Sequence, residues 1–414
     1  MTETLTTSSP RSDRSWRHIA EFLGLKKSIV GVLAMCILIG IGEKMAERFL
    51  PIYLVALGSG PIVVGLLNAL QNLLSALYSF PGGWLVGRIG TKRALMIFNI
   101  VAMIGYLIVL AVPKPWAVLL GALFFISWSA LSLPATMNLI SEVLPKQKRT
   151  MGVSVHSLIR RVPMALGPVI GGALITWYGK INGVWLAFVA ALVMAVVSLI
   201  FQQVMIHETS SKKEQALNDS NSEKRNQPLI SAHLWKLLLA DIMVRFCEQI
   251  PYPFVVIWCM EMNNISGVDF GLLTAIEMVT AVLIYIPVAW FADRSGKKPF
   301  VVMTFVFFTL FPLTLLFCRS FWPLVIAFIL RGLKEFGEPT RKALILDLAP
   351  EGRKAETFGR YYLYRDIVVS VGAFSGALLW MISPKANLLT ASAFGLLGTL
   401  WFLWKGEDEP TLSS

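Results

Sequence analysis

Twelve apolar runs divide the chain, at roughly 29–56, 61–86, 94–112, 115–143, 150–177, 183–206, then 235–259, 268–292, 300–318, 322–347, 357–382 and 386–404. Each is long enough to cross a bilayer as an α-helix, which takes about 20 predominantly apolar residues. The polar breaks between them are short, with one exception. Residues 207–234 hold Ser-Ser-Lys-Lys-Glu and Asn-Asp-Ser-Asn-Ser-Glu-Lys-Arg-Asn, a composition that makes a flexible linker rather than a packed element. The pattern predicts an all-α polytopic membrane protein: a tail (1–28), a six-helix half (29–206), the linker (207–234), a second six-helix half (235–404) and a short tail (405–414).

Composition narrows the class further. The 414 residues are 56% hydrophobic and only 15% charged, against ~45–50% and ~25% in soluble proteins. With a mean hydropathy of +0.66 this excludes a soluble enzyme, a disordered chain and a disulfide scaffold. The net charge of +12 does not point to nucleic acid, because no basic stripe with interleaved aromatics lies outside the apolar runs. It is explained by loops. Placing both termini in the cytoplasm puts 25 Lys and Arg in cytoplasmic segments and four, Lys114, Lys180, Arg319 and Lys385, on the other side. No cleavable leader is expected, since the first apolar run has full membrane length and no small-residue cleavage site. Cys36, Cys247, Cys259 and Cys318 all sit in apolar runs without metal-ligand spacing. No cofactor, metal or nucleotide loop is called for.

The two halves repeat. At an offset of 206, ten of the 28 positions from 65 to 92 are identical, among them Gly65, Pro81, Trp84, Arg88, Gly90 and Lys92 against Gly271, Pro287, Trp290, Arg294, Gly296 and Lys298. At an offset of 205, Pro134, Arg160, Gly167 and Gly171 match Pro339, Arg365, Gly372 and Gly376. Parallel six-helix repeats are related by an axis along the membrane normal, with a cavity where they meet.

Gly83-Trp-Leu-Val-Gly87-Arg88-Ile-Gly90-Thr-Lys92-Arg93 after the second run, and Ala289-Trp-Phe-Ala-Asp293-Arg294-Ser-Gly296-Lys297-Lys298 after the eighth, resemble the signature loop of the major facilitator superfamily, Gly-x-x-x-Asp-Arg-x-Gly-x-Arg/Lys-Arg/Lys. The first copy has Gly87 in place of the family Asp, and the second has Ala289 in place of Gly. Gly167-Pro168-Val-Ile-Gly171-Gly172 in the fifth run is similar to the later part of the antiporter motif of drug exporters, with Pro163 in place of its preceding Gly. A close-packed helix contact explains the same residues. The resemblance implies a secondary transporter, with Gly83, Arg88, Gly90, Asp293, Arg294 and Gly296 in gating loops and segments 3, 6, 9 and 12 facing lipid.

Charge inside the membrane marks the chemistry. The even-numbered runs 2, 4, 6 and 12, with 3 and 9, carry no Asp, Glu, Lys or Arg away from their ends, whereas eight acids and eight bases fall in the others. Sixteen lone charges facing lipid would cost ~40–55 kcal/mol at ~2.5–3.5 each, so they face one another or a water-filled cavity. Runs 1 and 5 hold 2 acids and 4 bases, and runs 7, 8, 10 and 11 hold 6 acids and 4 bases, which allows attraction between halves. Each charge can equally belong to a permanent structural pair. Glu43 and Glu47, four apart, and Glu335 and Glu338, three apart, are expected to form neighbouring carboxylates suited to carrying a proton. Glu277 aligns with Gln71 in polar stripes made by Asn68, Gln71, Asn72 and Ser75 on one helix and Thr274, Glu277 and Thr280 on another. Arg161, Arg245, Glu248, Arg331 and Asp366 complete the expected substrate or proton pathway. Pro51, Pro251, Pro253 and Pro339 should interrupt helices on the cavity side.

These features predict transport of a small solute by alternating access, driven by a proton gradient, in a monomer embedded in the cell (plasma or inner) membrane. A transporter-shaped receptor, assembly factor or lipid-handling protein is the alternative.

Overall fold

A computed structural model describes residues 27–125, 160–205, 230–295, 297–350 and 353–406. Most of the expected linker (207–229), most of the fourth run and the start of the fifth lie outside these described residues, and the helix of the seventh run already begins at Ala232. Among them there is no strand, and eight helices are long and apolar enough to cross a membrane.

The first half contains α1 (Lys27–Glu47), α2 (Leu50–Ala56), α3 (Pro61–Ile89), α4 (Thr91–Ala111), α5 (Pro115–Phe125), α6 (Arg161–Tyr178) and α7 (Lys180–Met205). The second contains α8 (Ala232–Gln249), α9 (Phe254–Ile257) with a π turn (Trp258–Met262), α10 (Gly267–Ser295), α11 (Lys298–Leu315), α12 (Phe321–Leu333), α13 (Glu338–Asp347), α14 (Lys354–Ile382) and α15 (Pro384–Lys405).

Three of the apolar runs are broken helices, each at a proline. Pro51 has no amide hydrogen to offer the Glu47 carbonyl, so α1 ends there and the Phe49 amide turns tightly back to the Ala46 carbonyl at 3.0 Å. Pro251 and Pro253 separate α8 from α9, and Pro339 in the first turn of α13 follows four turn residues, 334–337. Pro168, Pro287 and Pro312 sit inside continuous helices.

Two seams join the halves, α6 against α10 and α3 against α14. Both depend on missing side chains. A Cβ on Gly172 would lie 2.0 Å from the Gly267 carbonyl oxygen, one on Gly271 would lie 2.4 Å from that of Pro168, and one on Gly65 would meet the Ala377 Cβ at 2.5 Å. Gly167 and Gly171 turn to α1 instead, where a Cβ would come within 2.7 Å of the Lys44 Cβ and 2.2 Å of the Met45 oxygen. Small residues at such spacing let helix backbones approach, so van der Waals packing replaces the hydrophobic drive that lipid removes. Exposed apolar residues recur at helical spacing on α4 (Ile97, Ile100, Ile104), α7 (Val193, Val196, Ile200) and α15 (Leu396, Leu400, Leu403). Those stripes suit a lipid surface.

Candidate functional site

The broken helices α1–α2, α8–α9 and α12–α13 meet α3 and α10 around a cleft between the halves. Its polar lining comprises Glu47, Arg48, Asn68, Gln71, Tyr252 and Arg331. A smaller recess adjoins it, bounded by Glu248, Tyr252, Arg331 and Lys334. Breaking a helix frees backbone groups beside the cleft, and non-helical backbone at membrane depth is tolerated where it lines a cavity.

Glu277 on α10 is 1% exposed and neither carboxylate oxygen receives a hydrogen bond. Two cations of the tenth run face it: Arg331 Nε lies 3.3 Å and Lys334 Nζ 3.5 Å from Oε1. Lys334 also donates to Glu248 on α8 at 2.8 Å, and Glu248 receives Arg245 one helical turn earlier at 2.6 Å. Arg245 reaches Glu338 at 3.7 Å, so one chain of charges runs from Glu277 to α13.

The expected carboxylate pairs do not form. Lys44 bonds Glu47 and lies 3.4 Å from Glu43 Oε1, so an ammonium stands between two acids that share a helix face. Glu335 and Glu338 diverge because residues 334–337 are a turn, which removes the three-residue helical register. Glu335 accepts Arg161 from α6 at 2.9 Å, a bond between halves, while Glu338 binds Arg341 and Arg245 within its own half.

The polar stripe on α3 serves two purposes. Asn68 donates to the Gln249 carbonyl oxygen at 2.9 Å and Asn72 to the Gln249 side chain at 3.1 Å, bonding the halves, while Asn68 and Gln71 line the cleft. Asp366 lies outside the cleft and accepts Arg365 at 2.7 Å. A second, fully buried cluster surrounds Asp241 on α8. It binds Arg341, accepts the Tyr361 hydroxyl at 3.1 Å and meets Arg365 at 3.4 Å.

Of the gating loops, Arg88 is exposed near the end of α3, and Gly90 precedes α4 at φ 86°, a conformation that favours glycine. Gly83 lies within α3, Asp293 and Arg294 lie in the last turns of α10, and Gly296 lies outside the described residues.

Arg48 and Lys334 count among the sixteen membrane charges of the sequence but not in the expected pathway, and Tyr252, Arg341 and Tyr361 were not singled out from it. Tyr252 had a usable signal, since it stands between the two helix-breaking prolines. Arg341 had none, because nothing in the pattern separates a buried base near a helix end from a loop cation.

This is the architecture of a polytopic carrier with a polar site between two helical halves. The family model of the Major Facilitator Superfamily matches residues 32–244 and 237–414, and the chain belongs to that superfamily. It is 22% identical over 364 residues to the multidrug resistance protein MdtG of Citrobacter koseri, covering 86% of this chain and 88% of that one. It is 28% identical over 187 residues to a Na(+), Li(+), K(+)/H(+) antiporter of Planococcus maritimus, covering 43% and 42%. Its fold resembles the crystal structure of a peptide transporter, POT, in complex with sulfate, with a TM-score of 0.74 at 15% identity over 92% of this chain and 93% of that one. The protein is a multi-pass membrane transporter of a solute rather than an enzyme.

Proposed function

We propose that the protein moves a small solute by alternating access, with proton binding and release at Glu277 as the coupling step. The observation that carries this reading is a buried carboxylate on a helix of the α6–α10 seam whose oxygens receive no hydrogen bond while two cations of its own half stand at ion-pair distance, 3.3 and 3.5 Å. Ionised, it is held by Arg331 and Lys334; neutral, it releases both. A group placed so can change charge and redistribute its partners in the same step.

Both termini are assigned to the cytoplasm on the loop charges, with residues 29–206 and 235–404 as the rocking halves and 207–234 as the cytoplasmic link. The working unit is a monomer in the plasma or inner membrane. In that orientation the α6–α10 and α3–α14 glycine contacts fall at the outer ends of their helices, and this conformation is closed to the outside. Residue pathways follow the charges: Arg161 and Glu335 hold the halves together, and Glu43, Glu47, Arg245, Glu248 and Glu338 tune the cations around Glu277.

Purified protein in liposomes, with and without a pH gradient, tests the reading. Gradient-dependent accumulation of solutes drawn from a defined metabolite mixture is the expected result. Flux indifferent to the pH gradient removes proton coupling, and no flux of any solute favours a receptor or assembly role.

A further inference from the structure

Arg48 is the cation at this site that lacks a carboxylate. It sits at the break between α1 and α2, half-buried on the cleft wall, and among the described residues no acid lies within ion-pair distance of it. Its neighbour Glu47 is taken by Lys44. The guanidinium instead lies over the Tyr252 ring, 5.2 Å from the centroid. Arg331, from the opposite half, lies over the same ring at 5.6 Å. Its one carboxylate contact is the Nε approach to Glu277, and it donates no hydrogen bond among the described residues. Two guanidiniums from different halves therefore lie over one tyrosine inside one cleft, Arg331 engaging a carboxylate through Nε alone and Arg48 in no ion pair among the described residues.

Energetics makes that arrangement informative. Arg48 lies eight residues before Ala56, the end of α2, so about 12 Å below that end of the helix at 1.5 Å per residue. A cation at such depth with no carboxylate in direct contact among the described residues is expensive and is found where it serves an ion or substrate path. The tyrosine face offsets part of the cost and leaves the edge donors free. An arginine fork matches the two oxygens of a carboxylate or the oxygens of a phosphonate or sulfonate. The wall also carries Glu47, Asn68 and Gln71, and its apolar part includes Val255, Val256 and Phe270.

We propose that the transported solute is an organic anion, its acidic group held between Arg48 and Arg331 beside Tyr252 and its apolar body against Val255, Val256 and Phe270. This rests on the transport reading above. It also ties the halves together through the substrate: with one guanidinium contributed by each half, the bound anion bridges them. Glu277 competes with it for Arg331.

The test uses purified full-length protein in lipid nanodiscs at low salt, with four probes that share one ring: benzoate, phenylphosphonate, benzylammonium and benzyl alcohol. Thermal stabilisation by benzoate or phenylphosphonate, and not by the other two, is expected. Arg48→Gln and Arg331→Gln should each weaken that apparent affinity about tenfold or more, as loss of a charge-assisted contact implies. Arg48→Lys keeps the charge but not the fork and should fall between, which guards against a variant that merely misfolds. Equal stabilisation by benzylammonium or benzyl alcohol, an anion response unchanged in Arg48→Gln, or no response to either anion overturns the proposal. The liposome flux assay separates the two readings: a protein that accumulates neutral or cationic solutes and ignores the anions keeps its transport function and loses this site, whereas anion binding without flux of any solute does the reverse.

Discussion

Arg161 of α6 and Glu335 at the turn between α12 and α13 meet across the two halves, Nη2 to Oε2 at 2.9 Å, with each side chain about one-fifth exposed. They are 174 positions apart in the chain. An ion pair in this half-wet position links the halves while remaining reversible, because water at the cleft can take up the charges when it opens. Arg161→Glu should impair transport more than Arg161→Gln, since it adds repulsion to a lost partner. The double exchange Arg161→Glu with Glu335→Arg should recover part of the loss, with a coupling of ~0.5–3 kcal/mol in a double-mutant cycle of melting or transport rate. Additive losses would mean that the pair does no work.

Glu277→Gln tests the coupling group. The amide keeps the shape of the carboxylate but cannot shuttle a proton, so gradient-driven accumulation should disappear while exchange of labelled for unlabelled solute persists. Concentrative transport at the unmodified level by the Gln variant would reject Glu277 as the coupling site.

Asp241 should matter for stability rather than coupling. It is wholly buried and faces Arg341, Arg365 and the Tyr361 hydroxyl. Asp241→Asn leaves Arg341 with Glu338 and Arg365 with Asp366 but removes the carboxylate they share, a loss of up to ~3–5 kcal/mol, the cost of breaking a buried pair. Glu356 also holds two arginines, Arg353 and Arg360, but its side chain is 45% exposed, and Glu356→Gln should shift stability by ~1 kcal/mol or less. Melting of the two variants in the same detergent gives the comparison.

The glycine seams predict a conformational effect. Gly172→Ala puts a methyl group 2.0 Å from the Gly267 carbonyl oxygen, and Gly65→Ala puts one 2.5 Å from the Ala377 Cβ. Backbone cannot yield as a side-chain tip can, so α6 must move from α10, or α3 from α14. Spin-label distances across that end of the bundle should lengthen in both variants, with the population shifted towards the state open there. Unchanged distances would show that the seams are not the contacts that close it.

How far the chain could be read in advance differs between the fold and the site. The apolar runs are legible because bilayer thickness sets helix length whatever the neighbours are, and the breaks at Pro51, Pro251, Pro253 and Pro339 because a missing amide hydrogen is a local fact. That the charges of the first, fifth, seventh, eighth, tenth and eleventh runs must meet one another or water is likewise readable, since lipid offers them nothing. Their membership in one superfamily-sized pattern follows from the repeat and its loops.

Which charge meets which could be decided only by the tertiary structure. Glu43 and Glu47 share a face, yet Lys44 between them in sequence also stands between them in space. Glu335 and Glu338 have helical spacing, but the tenth run unwinds there and sends one to Arg161 and the other to Arg341 and Arg245. Sequence alone thus determined that this chain crosses the membrane as two repeated halves with ionisable groups turned inward. Pairing, and the uncommitted guanidinium of Arg48, had to wait for the fold, because partners more than a hundred residues apart are chosen by how helices rotate and pack against one another, a property that no local spacing encodes.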